Sequence, residues 1–330
     1  MKVVFLASKL TGITLEKYWY IFKDNNIDFQ LSYTTDEDEI VEISKTTDVF
    51  LTSIAPFSAD LINRLHGRVK GIVRIAIGYD IIDVEAATKR GIVVCNIPDY
   101  STEEVAVHAM SLILNSIRKN TMYNNAIKRG EWVKQSLIIG HTPRRLSQVT
   151  LGIMGFGSIA KNVAKYAQGF GMNVVSYDPF IPEDAFTERG VKKVTADELY
   201  EISDVITVHI PLFDETYHLL NKSSFAKMKD GVIIINTARG PLVCEEDLKE
   251  ALKSGKVAAA GLDVFETEPI NDPNYELFKF ENVVVTPHIA YHSLEAFDEL
   301  QKKSVLSAVN ICKGEIPYNT VNKKALSEKE

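Results

Sequence analysis

Hydrophobic and polar positions alternate in blocks along the first hundred residues. Short apolar runs, among them KVVFLAS, DVFLTS, KGIVRIAIG and IVVCNIP, are separated by segments such as TLEKYWYIFKDN in which apolar residues recur at helical spacing. Short runs rich in β-branched residues, joined by amphipathic helices, are typical of a parallel sheet with crossover helices. This first unit is predicted to end near Pro98.

A single long helix is predicted to follow, over the segment STEEVAVHAMSLILNSIRKNTMYNNAIKRG. Ser101 and Glu104 have the three-residue spacing of a capping box, and Gly130 is a plausible helix stop.

From Val149 the alternation of strands and helices begins again. Six strand-like runs follow one another, and a terminal helix is predicted over SLEAFDELQKKSVLSAVNICKG; the runs are VTLGIM, NVVSYD, DVITVHIP, GVIIINT, AAAGLDVF and NVVVTP. The pattern therefore predicts an α/β protein made of two open parallel-sheet units.

Composition narrows the class of protein. The chain has 330 residues, 45% apolar and 25% charged, which is typical of a soluble globular protein of about two domains. A net charge of −7 argues against nucleic acid or an anionic membrane as partner. The N-terminal apolar run is shorter than that of a signal peptide or a membrane span, so we expect a cytoplasmic protein. Cys95, Cys244 and Cys312 form no C-x-x-C pair, which favours a reducing compartment and predicts neither disulfides nor a metal site.

A glycine-rich turn opens the second unit. Residues 155–160 read GFGSIA, a G-x-G-x-x-A pattern that lies between a predicted strand and a predicted helix. Gly155 and Gly157 permit a tight turn and close approach of the backbone to a pyrophosphate at the helix N-terminus. The next strand ends in Asp178, whose carboxylate suits ribose hydroxyls and repels a 2′-phosphate. The pattern therefore predicts a dinucleotide site and favours NAD over NADP.

Polar side chains follow three later strands of the same unit. Arg239 follows GVIIINT, Asp263, Glu266 and Glu268 follow AAAGL, and His288 follows NVVVTP. The carboxyl ends of parallel strands meet at one edge of a sheet, where open α/β sheets bind their ligands. There an arginine can hold a substrate carboxylate, an imidazole can exchange a proton, and a carboxylate can tune the imidazole. This set predicts hydride transfer to or from a carbon that bears oxygen.

The glycine loop, NTARG, GLDVFETEP and TPHIA together resemble the D-isomer-specific 2-hydroxyacid dehydrogenases, and the likeness runs from RIAIGYD through the terminal helix. The resemblance implies a flavodoxin-like substrate domain, residues 1–100 with 289–330, and an inserted Rossmann NAD-binding domain, residues 101–288. It implies interconversion of a 2-oxo acid and a D-2-hydroxy acid by a homodimer.

The resemblance also implies individual roles. His288 becomes the acid–base, Glu268 its partner, and Arg239 the substrate-orienting group. Cofactor contacts beyond the two glycines and Asp178 fall on Ser158, Ile159, Ile210, Pro211, Thr216, Thr237, Ala238 and Asp263. Substrate contacts fall on the amides of Ile77 and Gly78, on Arg239, and on an aromatic wall of Tyr100 and Tyr291.

Tyr291 replaces the glycine common in HIAG, which favours the lactate-like branch over the phosphoglycerate branch, whose regulatory extension we do not expect here. His292 is interpreted as pocket rim, and His108 as an interior or interface residue. Two other functions remain open: an NAD-sensing co-regulator of the same fold, and a formate- or phosphite-oxidising relative.

Overall fold

The computed structural model describes residues 1–9, 11–132 and 142–327. The chain divides into two compact units, Met1–Ser101 with Ser293–Glu330 (unit 1) and Thr102–His292 (unit 2). The joints implied by the resemblance, after residues 100 and 288, lie within a few residues of these boundaries.

Unit 1 is built on a parallel sheet of five strands in the order β2-β1-β3-β4-β5, the flavodoxin-like order. The strands are β1 (Lys2–Leu6), β2 (Asp28–Ser32), β3 (Val49–Thr52), β4 (Gly71–Arg74) and β5 (Val93–Cys95). Apolar runs become buried strands here because helices cover both faces of a parallel sheet.

Unit 2 is built on a parallel sheet of seven strands in the order β12-β11-β10-β9-β6-β7-β8. The strands are β6 (Thr150–Met154), β7 (Asn173–Tyr177), β8 (Lys192–Lys193), β9 (Val205–Val208), β10 (Val232–Asn236), β11 (Val257–Leu262) and β12 (Val283–Val285). The strand order reverses between β6 and β9, which is the Rossmann switch point at which nucleotides bind. The predicted fold class is confirmed.

The helices connect these strands and cover the two sheets. They are α1 (Trp19–Asp24), α2 (Glu37–Ser44), α3 (Ala59–Arg64), α4 (Val84–Lys89), α5 (Thr102–Arg118), α6 (Asn120–Lys128), α7 (Ser158–Gly169), α8 (Glu183–Thr187), α9 (Ala196–Ile202), α10 (Lys222–Lys227), α11 (Glu245–Ser254), α12 (Leu294–Cys312) and α13 (Lys323–Ser327). Among the described residues no helix is both long and apolar enough to span a membrane.

The prediction of a single long helix from Ser101 is wrong in two respects. The helix breaks at Lys119, which adopts the left-handed conformation with φ 58°, so that α5 and α6 are separate helices. The side chain of Asn115 stabilises the break, because its Oδ1 accepts a hydrogen bond from the Thr121 amide at 3.0 Å. The predicted capping box also fails, since the buried Ser101 hydroxyl has no hydrogen-bond partner in the described structure.

The apolar stripe of α5 is buried within one chain. Val105, Ala109, Leu112, Ile113 and Ser116 are all buried, and α5 packs on α7, β10 and β11. Gly261 of β11 permits this contact, because a Cβ there would lie 2.9 Å from the Cβ of Leu112. The stripe is thus explained without a second subunit, and the homodimer stays a prediction.

Candidate active site

The glycine turn between β6 and α7 has the shape that a dinucleotide requires. Gly155 has φ +91°, and a Cβ there would lie 2.5 Å from the carbonyl oxygen of His209, so only glycine fits. A Cβ on Gly157 would meet nothing within 4 Å, so the space above this residue is open. No side chain caps α7, whose first two residues are Ser158 and Ile159. Its free amide groups and positive dipole end are thus available to an anion.

Asp178 lies at the end of β7, beside this turn. Its Oδ2 accepts a hydrogen bond from the Phe156 amide at 2.9 Å, and its Oδ1 accepts one from the Phe180 amide at 2.9 Å. Each carboxylate oxygen keeps a second lone pair, so the group can still accept bonds from ribose hydroxyls. The acid therefore braces the glycine turn and keeps its negative charge at the end of β7, beside that turn.

Two further segments of unit 2 border the turn. Ile210 lies just past the end of β9, and its Cγ2 would be 2.8 Å from a Cβ on Gly155. The Thr216 hydroxyl donates to the Pro211 carbonyl oxygen at 2.9 Å and closes the loop that follows. On the neighbouring strand end the hydroxyl of Thr237 is buried without a hydrogen-bond partner. A buried polar atom of this kind normally has a partner, and a bound dinucleotide would supply one. The residues present fit the cofactor.

Arg239 is held on a rigid turn after β10. The side chain of Asn236 organises this turn, since its Nδ2 donates to the Arg239 carbonyl oxygen at 2.8 Å and its Oδ1 accepts from the Ala238 amide at 3.0 Å. The next position, Gly240, must be glycine because a Cβ there would lie 1.8 Å from the carbonyl oxygen of Phe265. The guanidinium also donates to the Ala238 carbonyl oxygen at 2.7 Å. The backbone that carries the Arg239 side chain is therefore held in place by hydrogen bonds.

His288 and Glu268 form a hydrogen-bonded pair. Nδ1 of His288 lies 2.6 Å from Oε2 of Glu268, and Oε1 of Glu268 accepts from the Phe265 amide at 2.8 Å. Burial raises the pKa of Glu268, but the bond from His288, the charge of that ring, the Phe265 amide and the charge of Arg239 outweigh it. The net result is a pKa below the ordinary 4.5. A carboxylate on Nδ1 orients the ring and leaves Nε2 as the nitrogen that can exchange a proton with another group.

The backbone of His288 is held in a conformation that is costly for a residue with a side chain. Its φ is 51°, and its amide donates to the carbonyl oxygen of Asp263 at 2.8 Å. The Asp263 carboxylate, which is fully buried, accepts from the amides of Ile289 and Ala290, each at 2.9 Å. Asp263 thus anchors the loop that carries the histidine.

His108 joins this anchor. Its Nε2 lies 2.9 Å from the hydroxyl of Thr286, which in turn donates to Oδ1 of Asp263 at 2.5 Å. Neither this role of His108 nor Thr286 was predicted from the sequence. The available signals were a polar ring on the apolar stripe of α5 and a hydroxyl directly before Pro287.

Tyr291 and His292 follow the proposed acid–base group on the same loop. The Tyr291 ring lies edge-on to His288, with centroids 6.4 Å apart, and burial raises the pKa of its phenol. The His292 ring lies 6.2 Å from that of Tyr291. His209 is distinct from this group, because its Nε2 lies 2.9 Å from the Thr207 hydroxyl and burial lowers its pKa to about 4.

The remaining predicted substrate residues belong to unit 1. The carbonyl oxygen of Ile77 accepts from the Asn96 side chain at 2.6 Å, and that of Gly78 accepts from Nε of Arg74 at 3.2 Å. Tyr100 is buried. These bonds fix the loop after β4.

The fold and site together define a Rossmann-type, dinucleotide-binding oxidoreductase scaffold, and comparisons with known proteins give the family. The family model described as D-isomer specific 2-hydroxyacid dehydrogenase, NAD binding domain, matches residues 110–290. A hydroxypyruvate reductase of Thermotoga maritima is 44% identical over 263 residues, which is 79% of this chain and 83% of that protein.

Two further relatives cover more of the chain. A D-3-phosphoglycerate dehydrogenase of Archaeoglobus fulgidus is 39% identical over 91% of this chain, which spans 56% of that longer protein. The crystal structure of D-lactate dehydrogenase from Aquifex aeolicus, complexed with NAD and lactic acid, superposes with a TM-score of 0.84 at 31% identity. That match covers 97% of this chain and 99% of the Aquifex chain. The chain belongs to the NAD-dependent D-isomer specific 2-hydroxyacid dehydrogenase family, as its resemblance implied.

Proposed function

We propose that this protein interconverts a small 2-oxo acid and the corresponding D-2-hydroxy acid with NAD as cofactor. The observation that carries the proposal is the 2.6 Å pairing of His288 with Glu268 at the strand-end edge of a dinucleotide-binding sheet. Arg239 stands at the end of another strand of that sheet and contributes its charge to the Glu268 environment. A histidine paired with a carboxylate and an arginine thus lie at one edge of the sheet, which supports acid–base chemistry on an anionic substrate.

In this proposal Arg239 binds the substrate carboxylate and polarises the neighbouring carbonyl. When bound, the nicotinamide supplies the hydride for reduction or accepts it in oxidation. Nε2 of His288 gives its proton to the carbonyl oxygen as that oxygen becomes a hydroxyl, and takes it back in the reverse direction. Glu268 stabilises the protonated ring and keeps Nε2 directed at the substrate.

Other residues set the choice of ligands. Asp178 would accept bonds from the ribose hydroxyls and repel a 2′-phosphate, which favours NAD over NADP. The amides of Ile77 and Gly78 would bind the substrate carboxylate, and Tyr100 and Tyr291 would form the wall next to the substrate side chain. The names of the relatives, a hydroxypyruvate reductase and a D-lactate dehydrogenase among them, support short 2-oxo acids as substrates.

The test mixes the purified protein and reduced nicotinamide cofactor with pyruvate, hydroxypyruvate, glyoxylate and longer 2-oxo acids, and follows cofactor absorbance. We expect turnover with at least one short 2-oxo acid and a D-configured product. Binding of NADH without turnover of any acid at high enzyme concentration would contradict the proposal and favour a co-regulator function. Formate and phosphite, each mixed with the oxidised cofactor, test the other alternative, that of a formate- or phosphite-oxidising relative.

Assembly and location are part of the same proposal. We expect a homodimer in the cytoplasm, and light scattering of the eluting protein would measure the mass against 36.9 kDa for one chain.

A further inference from the structure

A histidine, a cysteine and a glutamate that are not among the proposed catalytic residues lie together in unit 2. One ring nitrogen of His218, the Sγ of Cys244 and a carboxylate oxygen of Glu266 all lie within 4.8 Å of one another. The three residues come from three separate loops, so the sequence spacing showed no sign of the cluster.

Backbone hydrogen bonds hold the first two loops side by side. The His218 amide donates to the Pro241 carbonyl oxygen at 2.7 Å, and the Leu220 amide donates to that of Leu242 at 3.0 Å. The Cys244 amide then donates back to the Leu220 carbonyl oxygen at 2.8 Å. This short parallel ladder fixes the distance between His218 and Cys244.

The third loop is fastened to the second by a reciprocal pair of bonds. The Glu245 amide donates to Oε1 of Glu266 at 2.8 Å, and the Glu266 amide donates to Oε1 of Glu245 at 2.7 Å. Gly240 and Phe265 touch backbone to backbone just before these residues. Folding alone therefore brings the three potential ligands together.

His218 is positioned at some cost. It adopts the left-handed conformation with φ 50°, and its ring stacks on that of Tyr217 with centroids 4.0 Å apart. Its Nε2 is shielded from solvent and lies 3.0 Å from Oε1 of Glu266, but it has no hydrogen-bond partner of good geometry. A shielded imidazole nitrogen beside a carboxylate oxygen, with a thiol sulfur within 4.8 Å of the same group of atoms, is an arrangement that a cation would complete.

We propose that His218, Cys244 and Glu266 form a binding site for a borderline divalent metal ion, with Zn²⁺ as the best match. Nitrogen, sulfur and oxygen ligands suit Zn²⁺, whereas Mg²⁺ and Ca²⁺ take oxygen ligands. Tetrahedral zinc holds its ligand atoms about 3.3–3.8 Å apart, so the widest separation in the cluster, at most 4.8 Å, must shorten by up to about 1 Å. The side chains of His218 and Glu266 are 28% and 31% exposed, which gives the ion a path from solvent. Three ligands leave a fourth position for water.

The experiment measures metal binding directly and does not depend on turnover. The apo protein is titrated with Zn²⁺ in competition with a chromophoric chelator, and with Co²⁺ to record thiolate charge-transfer absorption. We expect one ion per chain, a loss of about tenfold or more in affinity in Cys244→Ser and in His218→Gln, and loss of the charge-transfer band in Cys244→Ser. Cys95→Ser, which removes a thiol from unit 1, is the matched control and should bind as the wild type does.

Two results would overturn the site. One is the absence of stoichiometric binding by the wild type, in which case His218 and Glu266 are neighbours without a metal between them. The other is equal affinity in Cys244→Ser, His218→Gln and the wild type. Thermal unfolding and NAD binding of each variant establish that a loss of metal does not come from misfolding.

Discussion

The hydroxyl of Thr286 donates to Oδ1 of the fully buried Asp263 at 2.5 Å. A hydroxyl has one proton to give, so toward Nε2 of His108, 2.9 Å away, it can only accept. His108 must therefore carry a proton on Nε2, and the donors run in one direction from His108 through Thr286 to Asp263. The carboxylate that receives them also holds the backbone on which His288 lies.

Thr286→Val keeps the shape of the side chain and removes this link. Because it leaves a buried carboxylate short of one donor, we expect the free energy of unfolding to fall by about 1–3 kcal/mol, with a lower kcat. Thr286→Ser keeps the hydroxyl and should retain most of both. Urea unfolding and turnover of the two variants make the comparison; a serine variant as impaired as the valine variant would show that the methyl group matters instead.

Glu268→Gln should change how stability depends on pH. Folding lowers the pKa of Glu268 from its ordinary 4.5. The carboxylate therefore contributes stability that is fully present at pH values above 4.5. The contribution is lost as the pH falls through the lowered pKa. We therefore expect the wild type to be more stable than Glu268→Gln at neutral pH and the difference to shrink in acid. Thermal unfolding from neutral pH to below pH 4 measures this, and a difference that grows in acid would contradict it.

Two histidines four positions apart, His288 and His292, provide a matched pair for the proposed chemistry. His288→Gln removes the proposed acid–base group, and kcat should fall by about 10²–10⁴-fold. His292→Gln should cost little, since it is His288 whose Nδ1 is bonded to Glu268, whereas the His292 ring packs edge-on beside Tyr291. Steady-state kinetics with the best 2-oxo acid measure kcat of both variants. Equal losses of kcat in the two variants would contradict the assignment of His288 as the acid–base group.

The two glycines of the turn should respond to alanine in opposite ways. Gly155→Ala places a Cβ 2.5 Å from the His209 carbonyl oxygen at φ +91°, so the fold itself should lose stability. Gly157→Ala meets nothing within 4 Å, so its thermal unfolding should match the wild type while its affinity for NAD drops. Calorimetric titration with NAD and thermal unfolding separate the effects. An unchanged NAD affinity in Gly157→Ala would place the pyrophosphate elsewhere.

Asp178→Asn tests the choice of cofactor. Asparagine can still accept one of the two amide bonds that now reach the carboxylate from Phe156 and Phe180, but it lacks the charge. The preference for NAD over NADP, measured as the ratio of kcat/KM values, should therefore narrow, chiefly through better use of NADP. A wild type that used both cofactors equally would show that Asp178 does not face the ribose.

The sheets and the nucleotide turn could be predicted from sequence because each depends on local signals. Buried parallel strands appear as β-branched runs, and the turn at Gly155 tolerates no side chain. The break at Lys119 could not be predicted from sequence, since neither proline nor glycine marks it and the side chain of Asn115 stabilises it. The link between His108 and Thr286 joins residues 178 positions apart, and only the packing of α5 against the sheet brings them into contact.

The anchoring of the His288 loop has a consequence for how such a protein can change in evolution. Tyr291 lies between two pinned positions, because the Ala290 amide is bound to Asp263 and the His292 amide donates to the Ile289 carbonyl oxygen at 3.0 Å. A replacement at Tyr291 alters the surface beside the proposed acid–base group without releasing the backbone that carries it. In the proposed enzyme, single mutations at Tyr291 would therefore change which substrate side chains are accepted, while the proposed proton-transfer pair of His288 and Glu268 stays in place.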